Sequence, residues 1–157
     1  MEDVRRRSQA LLFAGALLVL IGLLSGAAVP AMATARLALS AHLAGVQGGM
    51  LLLIVGVAWH RIALSPTLAT TCFVTSVFSS YVLYLALQLA AFWATSRSTP
   101  IAGAGSEGSP LQEAVVDGFL YVGSAAALVA VALMAWGLRP SLVARAGSDA
   151  QRRSSTS

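Results

Sequence analysis

The sequence predicts an all-α integral membrane protein, a bundle of four membrane-spanning helices. Of its 157 residues, 57% are hydrophobic and only 10% are charged, whereas a soluble domain carries about 25% charged residues. The apolar residues fall into four segments, each long enough to cross a bilayer, which takes roughly 20 helical residues. We therefore predict a single transmembrane domain over residues 1–140 and a disordered cytoplasmic tail over residues 141–157.

The first predicted helix covers residues 10–32 and follows the three arginines Arg5, Arg6 and Arg7. The "AMATA" stretch at its end imitates a signal-peptidase site. The apolar segment is nevertheless longer than the roughly 7–15 residues of a secretory signal. We predict that this helix is retained, with its cleavage as the alternative.

Three further segments have the length and apolar character of membrane helices: residues 37–60, 66–95 and 112–138. The 24 residues between Arg36 and Arg61 would span roughly 36 Å as a helix, which is enough to cross the membrane. Pro66 suits the first turn of the third helix. The Gly/Ser/Pro-rich residues 96–110 predict a loop before the fourth helix.

The basic residues indicate how the chain is oriented. Eight of the ten arginines precede the first helix, lie between the second and third, or follow the fourth. By the positive-inside rule, both termini are therefore predicted to be cytoplasmic. No basic run is interleaved with aromatic residues, which argues against a nucleic-acid partner. The single cysteine, Cys72, leaves no intrachain disulfide and no Cys/His zinc pattern.

A histidine stands near the start of the second predicted helix. His42 lies six residues after Arg36, about 9 Å along a helix, at the extracytoplasmic edge of the hydrocarbon. An ionisable residue at that depth is a functional candidate that faces the bundle interior. The alternative is a neutral histidine that only donates a hydrogen bond to another helix.

Two glycines share the face of this histidine. Gly45 and Gly49 follow His42 by three and seven residues and form a G-x-x-x-G pair, whose ordinary role is close packing of helices. A smooth glycine face beside an imidazole would equally suit a flat ligand such as a porphyrin, with the histidine as its axial ligand. The sequence leaves both interpretations open.

The third and fourth predicted helices each carry polar groups on one face. Serine and threonine in membrane helices commonly bond to the backbone. Tyr81, Tyr84 and Gln88 are larger, and we expect them to face an internal pocket. In the fourth helix, Glu113 and Asp117 are four residues apart and share a face. A glutamate in the first helical turn is also favoured by the helix dipole alone.

An up-down topology would bring these polar groups to the extracytoplasmic half of the bundle. His42 and Gln47 lie near the start of the second helix, Tyr84 and Gln88 near the end of the third, and Asp117 near the start of the fourth. Converging polar groups in an apolar cavity are typical of a ligand site. No catalytic triad, Walker loop or Rossmann loop offers another site.

Several runs of residues resemble the hydroxylaminobenzene mutases, small bacterial membrane proteins that convert an arylhydroxylamine into an aminophenol. The runs are "RLALSAHLAGVQGGMLLLIVGVAW", "LAAFWATSRSTPIAGAG" and "ALMAWGLRP", together with the pair Gln112 and Glu113. The resemblance covers most of residues 36–140. It implies an isomerase that acts on a small aromatic substrate in the inner membrane of a bacterium.

The pair Ala41 and His42, with the small-residue helix after it, is more distantly similar to the styrene oxide isomerases. These are four-helix membrane enzymes that bind haem b through this histidine at the subunit interfaces of a trimer. The resemblance implies haem b as cofactor, its iron bound by His42 and its macrocycle lying against Gly45 and Gly49. It also implies a homotrimer.

The chain departs from this family pattern at three positions. The pattern favours a glutamate where this chain has Ala44, an asparagine where it has Gly48, and a further asparagine where it has Leu83. Gln47 would supply an amide from a neighbouring position. Because the missing groups are polar ones that could touch the substrate, the departures concern the substrate more than the fold.

The resemblance implies a Bamberger-type rearrangement in which haem iron serves as a Lewis acid. The residues that we expect to be catalytic are Gln47, Tyr84, Gln88 and Asp117, and those that we expect to contact substrate are Tyr81 and Glu113. An epoxide isomerase of the styrene oxide type is one alternative. A non-enzymatic membrane protein that binds haem or assists assembly is another.

Overall fold

The computed structural model describes residues 2–140, and within them the chain is helical, without strands. The helices are α1 (Glu2–Ala27), α2 (Ala35–Ala58), α3 (Pro66–Trp93), the short α4 (Pro100–Gly103) and α5 (Pro110–Gly137), with single 3-10 turns at Val29–Ala31 and Trp59–Arg61. Four of them are long and apolar enough to span a membrane. The predicted all-α fold is confirmed for the described residues, and so is the presence of four helices with the length and apolar character of membrane spans. The predicted tail, residues 141–157, lies outside the described residues.

Helix α1 begins before the apolar segment and ends inside it. Glu2 and Asp3 occupy its first turn, where carboxylates interact favourably with the helix dipole. Asp3 also pairs with Arg7 one turn later, with 3.2 Å between Oδ2 and Nε. The helix ends at Ala27, and Pro30 lies in the 3-10 turn that follows. The observed bounds therefore differ from the predicted 10–32 because the charged N-terminal residues are themselves helical.

Helices α3 and α5 start with the signals that the sequence contains. Each has a proline at its first position, where the missing N–H costs no hydrogen bond. In α5, Ser109 and Gln112 form a capping box, in which each side chain accepts from the other residue's backbone N–H. Helix α3 ends at Trp93, and the residue that caps it, Ala94, has a left-handed φ of 56°. The segment predicted as a loop also contains α4.

The long helices pack mainly with their neighbours in sequence: α1 on α2, α2 on α3, and α3 on α5. One buried cluster joins all four helices toward the N-terminal end of α1 and consists of Leu11, Leu18, Leu52, Val55, Trp59, Cys72, Ala130 and Met134. A second lies toward the opposite end and consists of Leu37, Ala38, Ala90, Ala91 and Val116. Many other large apolar side chains are exposed, as expected for helices that contact lipid.

The contact between α1 and α2 is made by glycines. A methyl group added at Gly15 would lie 2.7 Å from the carbonyl oxygen of Gly49, and one added at Gly22 would lie 2.8 Å from the nitrogen of Val46. The two backbones therefore touch directly. This is the close-packing role of small residues in membrane helices, and it determines which face of α2 remains open to a ligand.

Candidate functional site

His42 is half-buried and faces α1. Its Nδ1 atom lies 2.7 Å from the carbonyl oxygen of Gly22. Its ring also lies against Gly26, where an added methyl group would approach Nδ1 to 2.5 Å. Because a carbonyl oxygen only accepts hydrogen bonds, Nδ1 is the protonated nitrogen and Nε2 keeps its lone pair. Metal-binding histidines are usually oriented in this way.

The glycine face beside His42 is filled by the chain itself. A methyl group added at Gly45 would lie 2.9 Å from both the Cα of Gly22 and the Cδ2 of Tyr84, and one added at Gly49 would lie 2.7 Å from the oxygen of Gly15. The donor chemistry of His42 therefore fits an axial haem ligand. Gly45 and Gly49 do not offer a free surface for the macrocycle, because α1 and Tyr84 fill the space beside these two glycines.

The predicted residues of α3 lie in different surroundings. Tyr81 donates a hydrogen bond to the carbonyl oxygen of Ala14 on α1 at 2.8 Å, so its hydroxyl joins two helices. Tyr84 packs its ring against Gly45. The Oε1 atom of Gln88 is buried and accepts no hydrogen bond from residues 2–140. Tyr84 is thus the member of this group that packs on the glycine face of α2, and Gln88 holds a free acceptor.

Gln47 borders a cavity of about 260 Å³ between α2, α3 and α5, here named the Gln47 groove. Its lining residues are Ala44, Gln47, Gly48, Leu51, Ser79, Ser80, Leu83 and Ala127. The hydroxyls of Ser79 and Ser80 donate to the carbonyl of Ser76, at 3.2 and 2.9 Å. The groove is therefore mostly apolar, with one amide side chain and two serine oxygens.

Ala44, Gly48 and Leu83, the positions at which the resemblance implied that polar residues are missing, all line the Gln47 groove. Gly48 also differs from the packing glycines. A methyl group added there would meet its nearest neighbours, Leu18 and Ser80, at 3.4 Å, close to ordinary van der Waals contact. Packing therefore does not demand a glycine at this position.

His42 and the Gln47 groove lie on different faces of α2. The five residues from His42 to Gln47 turn a helix to a direction about 140° away. His42 accordingly contacts α1, whereas Gln47 borders a groove shared with α3 and α5. The structure thus does not bring these two predicted site residues together within one chain. The sequence indicated only that both residues lie at the same depth in the membrane. Depth does not indicate the side of the helix to which a residue points.

Glu113 anchors the segment between α3 and α5. Its carboxylate accepts hydrogen bonds from the backbone N–H groups of Ser96, Arg97 and Gly108, each at 3.0 Å. The residue is buried, with 6% of its surface exposed. Three backbone donors compensate for the burial of a carboxylate, which would otherwise be costly. Glu113 therefore holds both ends of this segment on the first turn of α5.

Asp117 binds the same segment one turn further along α5. It accepts a hydrogen bond from the hydroxyl of Ser98, and its Oδ2 lies 3.5 Å from Nη1 of Arg97. Its side chain is 14% exposed. Neither Asp117 nor Glu113 lines the Gln47 groove. The two carboxylates hold the segment that connects α3 to α5, and each also lines a cavity there, Glu113 one of about 390 Å³ and Asp117 one of about 420 Å³.

The sequence reasoning did not single out Ser79, Ser80, Leu51 or Ala127 as groove residues. The two serines belong to the polar face of α3, which was interpreted mainly as backbone bonding, and that bonding is present. Leu51 lies four residues after Gln47 and shares its face. Ala127 carries no sequence signal of its own.

Comparison with known proteins gives consistent matches. A family model described as styrene oxide isomerase matches residues 7–139. The chain is 41% identical over 144 residues to hydroxylaminobenzene mutase HabB of Ectopseudomonas oleovorans, covering 91% of this chain and 87% of that protein. It is 36% identical over 115 residues to HabA of the same organism, covering 72% and 85%. No solved structure matches the chain. The chain therefore belongs to the styrene oxide isomerase family and is an isomerase similar to the hydroxylaminobenzene mutases.

Proposed function

We propose that the protein converts an arylhydroxylamine such as hydroxylaminobenzene into an aminophenol by a Bamberger-type rearrangement. In this reaction the N–O bond breaks, a C–O bond forms on the ring, and no net oxidation or reduction occurs. Both curated relatives are named for this activity. The structural observation that carries the proposal is the Gln47 groove of about 260 Å³, close to the roughly 300 Å³ lower bound of ligand pockets.

The lining of the groove suits the two halves of such a substrate. Leu51, Leu83 and Ala127 offer apolar contacts to an aromatic ring. The amide of Gln47 both donates and accepts hydrogen bonds, so it can hold the N-hydroxyl group. An apolar wall excludes bulk water, and exclusion of water limits where oxygen can add to the activated ring. Gln47 is therefore the residue that we assign to orientation of the substrate.

We further propose haem b as the cofactor, with His42 as its axial ligand through Nε2. The hydrogen bond from Nδ1 to Gly22 supports this role, because it fixes the tautomer and the ring orientation. When bound, haem iron supplies Lewis-acid chemistry for weakening of the N–O bond. A bound macrocycle would have to lie elsewhere than on Gly45 and Gly49, since helix α1 covers that face.

The positions of His42 and the Gln47 groove favour a homo-oligomer. The two lie on different faces of α2, so the histidine of one copy and the groove of a neighbouring copy would together form a complete site. We propose the trimer that the resemblance implies. A monomer would leave the cofactor ligand and the substrate groove separated by the thickness of a helix, about 10 Å.

The remaining predicted residues receive different roles. Gln88, with its unpaired buried oxygen, is the group that we assign to accepting a hydrogen bond from a substrate N–H. Tyr84, one turn earlier and close to Gly45, is the proposed donor beside it. Asp117 and Glu113 hold the segment that connects α3 to α5. Tyr81 contributes through its bond to α1.

We place the protein in the inner membrane of a bacterium, with both termini in the cytoplasm. The asymmetry of the arginines supports this orientation, and the four apolar helices support several passes through the membrane. Orientation matters for the reaction, because it puts His42 and Gln88 in the half of the membrane away from the cytoplasm. Tagging of the N-terminus and protease access from either side tests it.

The proposed function is tested by absorbance spectra and turnover of the detergent-purified protein. The wild type should show a Soret band that shifts on addition of dithionite, and should convert phenylhydroxylamine to an aminophenol. His42→Ala should lose both. Ser40→Ala is the matched control, since its hydroxyl bonds only within α2, to the carbonyl of Arg36. A His42→Ala protein that keeps its Soret band and turnover would refute the assignment.

An epoxide isomerase is the second candidate, because the matching family model carries the name of styrene oxide isomerase. An epoxide also needs a Lewis acid for opening of its C–O bond, and its aryl group would fit the same groove. Relative kcat/KM for phenylhydroxylamine and styrene oxide separates the two functions. A clear preference for styrene oxide would replace the first proposal by the second.

A further inference from the structure

A shallow cavity of about 460 Å³ lies on the outer side of α2, at the end of the protein that carries the N-terminus. Its lining residues are Leu53, Ile54, Val57, Ala58, His60 and Arg61. Ile54 and Val57 are 63% and 67% exposed, so the cavity opens outward to the surroundings of the helix. It combines an apolar wall with two basic side chains and includes no acidic lining residue. We call it the Arg61 groove.

The basic end of this groove, the 3-10 turn that carries His60 and Arg61, packs against the rest of the protein. Trp59, which starts the 3-10 turn that carries both basic residues, is only 4% exposed. Its ring packs edge to face on Phe73, with 6.2 Å between centroids. The backbone N–H of Ala63 donates to the carbonyl of Gly137 at 2.9 Å. The backbone of the turn that carries His60 and Arg61 is therefore held by α3 and α5.

Two other cations at this end have partners. Arg7 forms an ion pair with Asp3, and the guanidinium of Arg139 lies 3.9 Å from the centre of the Trp136 ring. Arg61, like Arg5 and Arg6, forms no ion pair with any residue between 2 and 140. Of these three exposed arginines, only Arg61 borders the apolar groove. An uncompensated cation in that position is complementary to an anion attached to an apolar chain.

The net charge of this end points to the same ligand. Among residues 2–140, it carries Arg5, Arg6, Arg7, Arg61 and Arg139 against Glu2 and Asp3, whereas the opposite end carries Arg36 and Arg97 against Glu107, Glu113 and Asp117. The arginine-rich end of a membrane protein faces the cytoplasmic leaflet. That leaflet contains the anionic lipids to which basic pockets between and beside helices bind.

We propose that the Arg61 groove binds an anionic phospholipid, with its phosphate at His60 and Arg61 and an acyl chain along Leu53, Ile54 and Val57. The helix rises about 9 Å from Leu53 to Trp59, a large part of the roughly 15 Å hydrocarbon depth of one leaflet. The apolar wall would accept the chain of any lipid. The guanidinium of Arg61 favours lipids whose headgroup carries a net negative charge, and the imidazole of His60 can donate a hydrogen bond to the phosphate.

Native mass spectrometry of the full-length protein in detergent tests this site. Phosphatidylglycerol should bind more tightly than phosphatidylcholine with the same acyl chains. Arg61→Gln should weaken phosphatidylglycerol binding by about fivefold, the effect of one basic residue at an anionic membrane surface, and leave phosphatidylcholine binding unchanged. His60→Gln combined with Arg61→Gln should weaken it further. The control is Arg36→Gln, which removes an exposed arginine from the opposite end of the same helix.

Three outcomes would overturn the proposal. The first is equal binding of the two lipids to the wild type. The second is an Arg36→Gln protein that loses phosphatidylglycerol binding as much as Arg61→Gln does, which would indicate a diffuse charge effect. The third is complete displacement of phosphatidylglycerol by inorganic phosphate, which would mean that the acyl chain contributes nothing. Val57→Asn gives an independent check, because a polar residue in the wall should weaken the binding of both lipids.

Discussion

The Nδ1 atom of His42 on α2 and the carbonyl oxygen of Gly22 on α1 form a hydrogen bond of 2.7 Å across the glycine contact between the two helices. The same carbonyl also accepts a hydrogen bond from the hydroxyl of Ser25 at 2.8 Å, so the imidazole shares this acceptor with a group of α1. Helix α1 therefore orients the proposed haem ligand. The sequence resemblance covered most of residues 36–140 and did not draw on this helix.

Gly26→Ala tests this control of the imidazole. The added methyl group would lie 2.5 Å from Nδ1 of His42 and 2.8 Å from its Cε1, so the ring must move while the backbone can stay. We expect the variant to fold with a melting temperature close to that of the wild type, and to lose most of its Soret absorbance per mole of protein. Retention of full haem content would show that the position of the ring does not matter.

The glycine contact itself predicts a loss of stability. In Gly22→Ala the new methyl group would lie 2.8 Å from a backbone nitrogen of α2, and α1 must move away to accommodate it. Overpacking of this kind costs about 1–3 kcal/mol. Thermal unfolding in detergent should show a lower midpoint. Gly118→Ala is the matched control, because nothing lies within 4 Å of a methyl group there, and its midpoint should not fall.

Gly48→Ala is expected to change the volume of the Gln47 groove without lowering the stability of the protein. Its methyl group would meet neighbours at 3.4 Å, so we expect a melting temperature equal to or above that of the wild type, since alanine favours a helix by about 1 kcal/mol over glycine. The same methyl group narrows the Gln47 groove. Steady-state kinetics should show a larger fall in kcat/KM for ring-substituted arylhydroxylamines than for phenylhydroxylamine. An equal fall for all of them would argue that the ring binds elsewhere.

Glu113→Gln addresses the anchoring of the connecting segment. A neutral amide has one acceptor oxygen in place of two and accepts more weakly, so part of the three backbone bonds would be lost. Buried donors left without an acceptor cost about 1–3 kcal/mol. We expect a lower unfolding midpoint and faster proteolysis within residues 94–109. Glu107→Gln, a change at an exposed position, should leave both unchanged. Loss of turnover at unchanged stability would instead support direct substrate contact by Glu113.

Ala94→Gly should stabilise the protein. Ala94 caps the C-terminal end of α3 and has a φ of 56°. This left-handed conformation costs alanine about 1–2 kcal/mol and glycine almost nothing. We expect a rise in the unfolding midpoint with kcat/KM unchanged. Ala86→Gly is the control, and it should lower the unfolding midpoint. Residue 86 lies inside α3, where glycine is unfavourable and leaves a gap. An Ala94→Gly protein less stable than the wild type would contradict the prediction.

Hydropathy and cap signals account for most of what the sequence predicted. Segment length located four helices, and Pro66 marks the observed start of α3. The fourth helix was predicted from residue 112, whereas α5 starts at Pro110 after the cap Ser109, because the Gly/Ser/Pro-rich loop was extended too far. The start of α1 was placed too late because Arg5–Arg7 were interpreted as lying outside the helix. Charged residues at a membrane boundary are compatible with helix, and Asp3 pairs with Arg7 along it. Hydropathy thus locates membrane spans better than it locates helix ends.

The candidate site was less predictable. Depth in the membrane correctly singled out His42 as a polar group that needs a partner, and the structure supplies Gly22. Depth in the membrane does not give the angle of a residue around its helix axis. Gln47 was therefore grouped with His42, although about 140° around the axis of α2 separates them. The acceptor role of Glu113 depends on three backbone N–H groups, and backbone groups have no signature in a sequence. Sequence therefore identified polar residues more reliably than their neighbours.

The packing of each long helix on the one before it has a consequence for biosynthesis. As α2 leaves the ribosome, the α1 surface that it needs is already in the membrane, and the same holds for α3 and α5. Proteins rich in contacts between chain neighbours fold rapidly, and N-terminal elements fold first during synthesis. We expect a nascent chain that stops after α2 to form a stable two-helix hairpin in the bilayer. Helix assembly would then keep pace with translation.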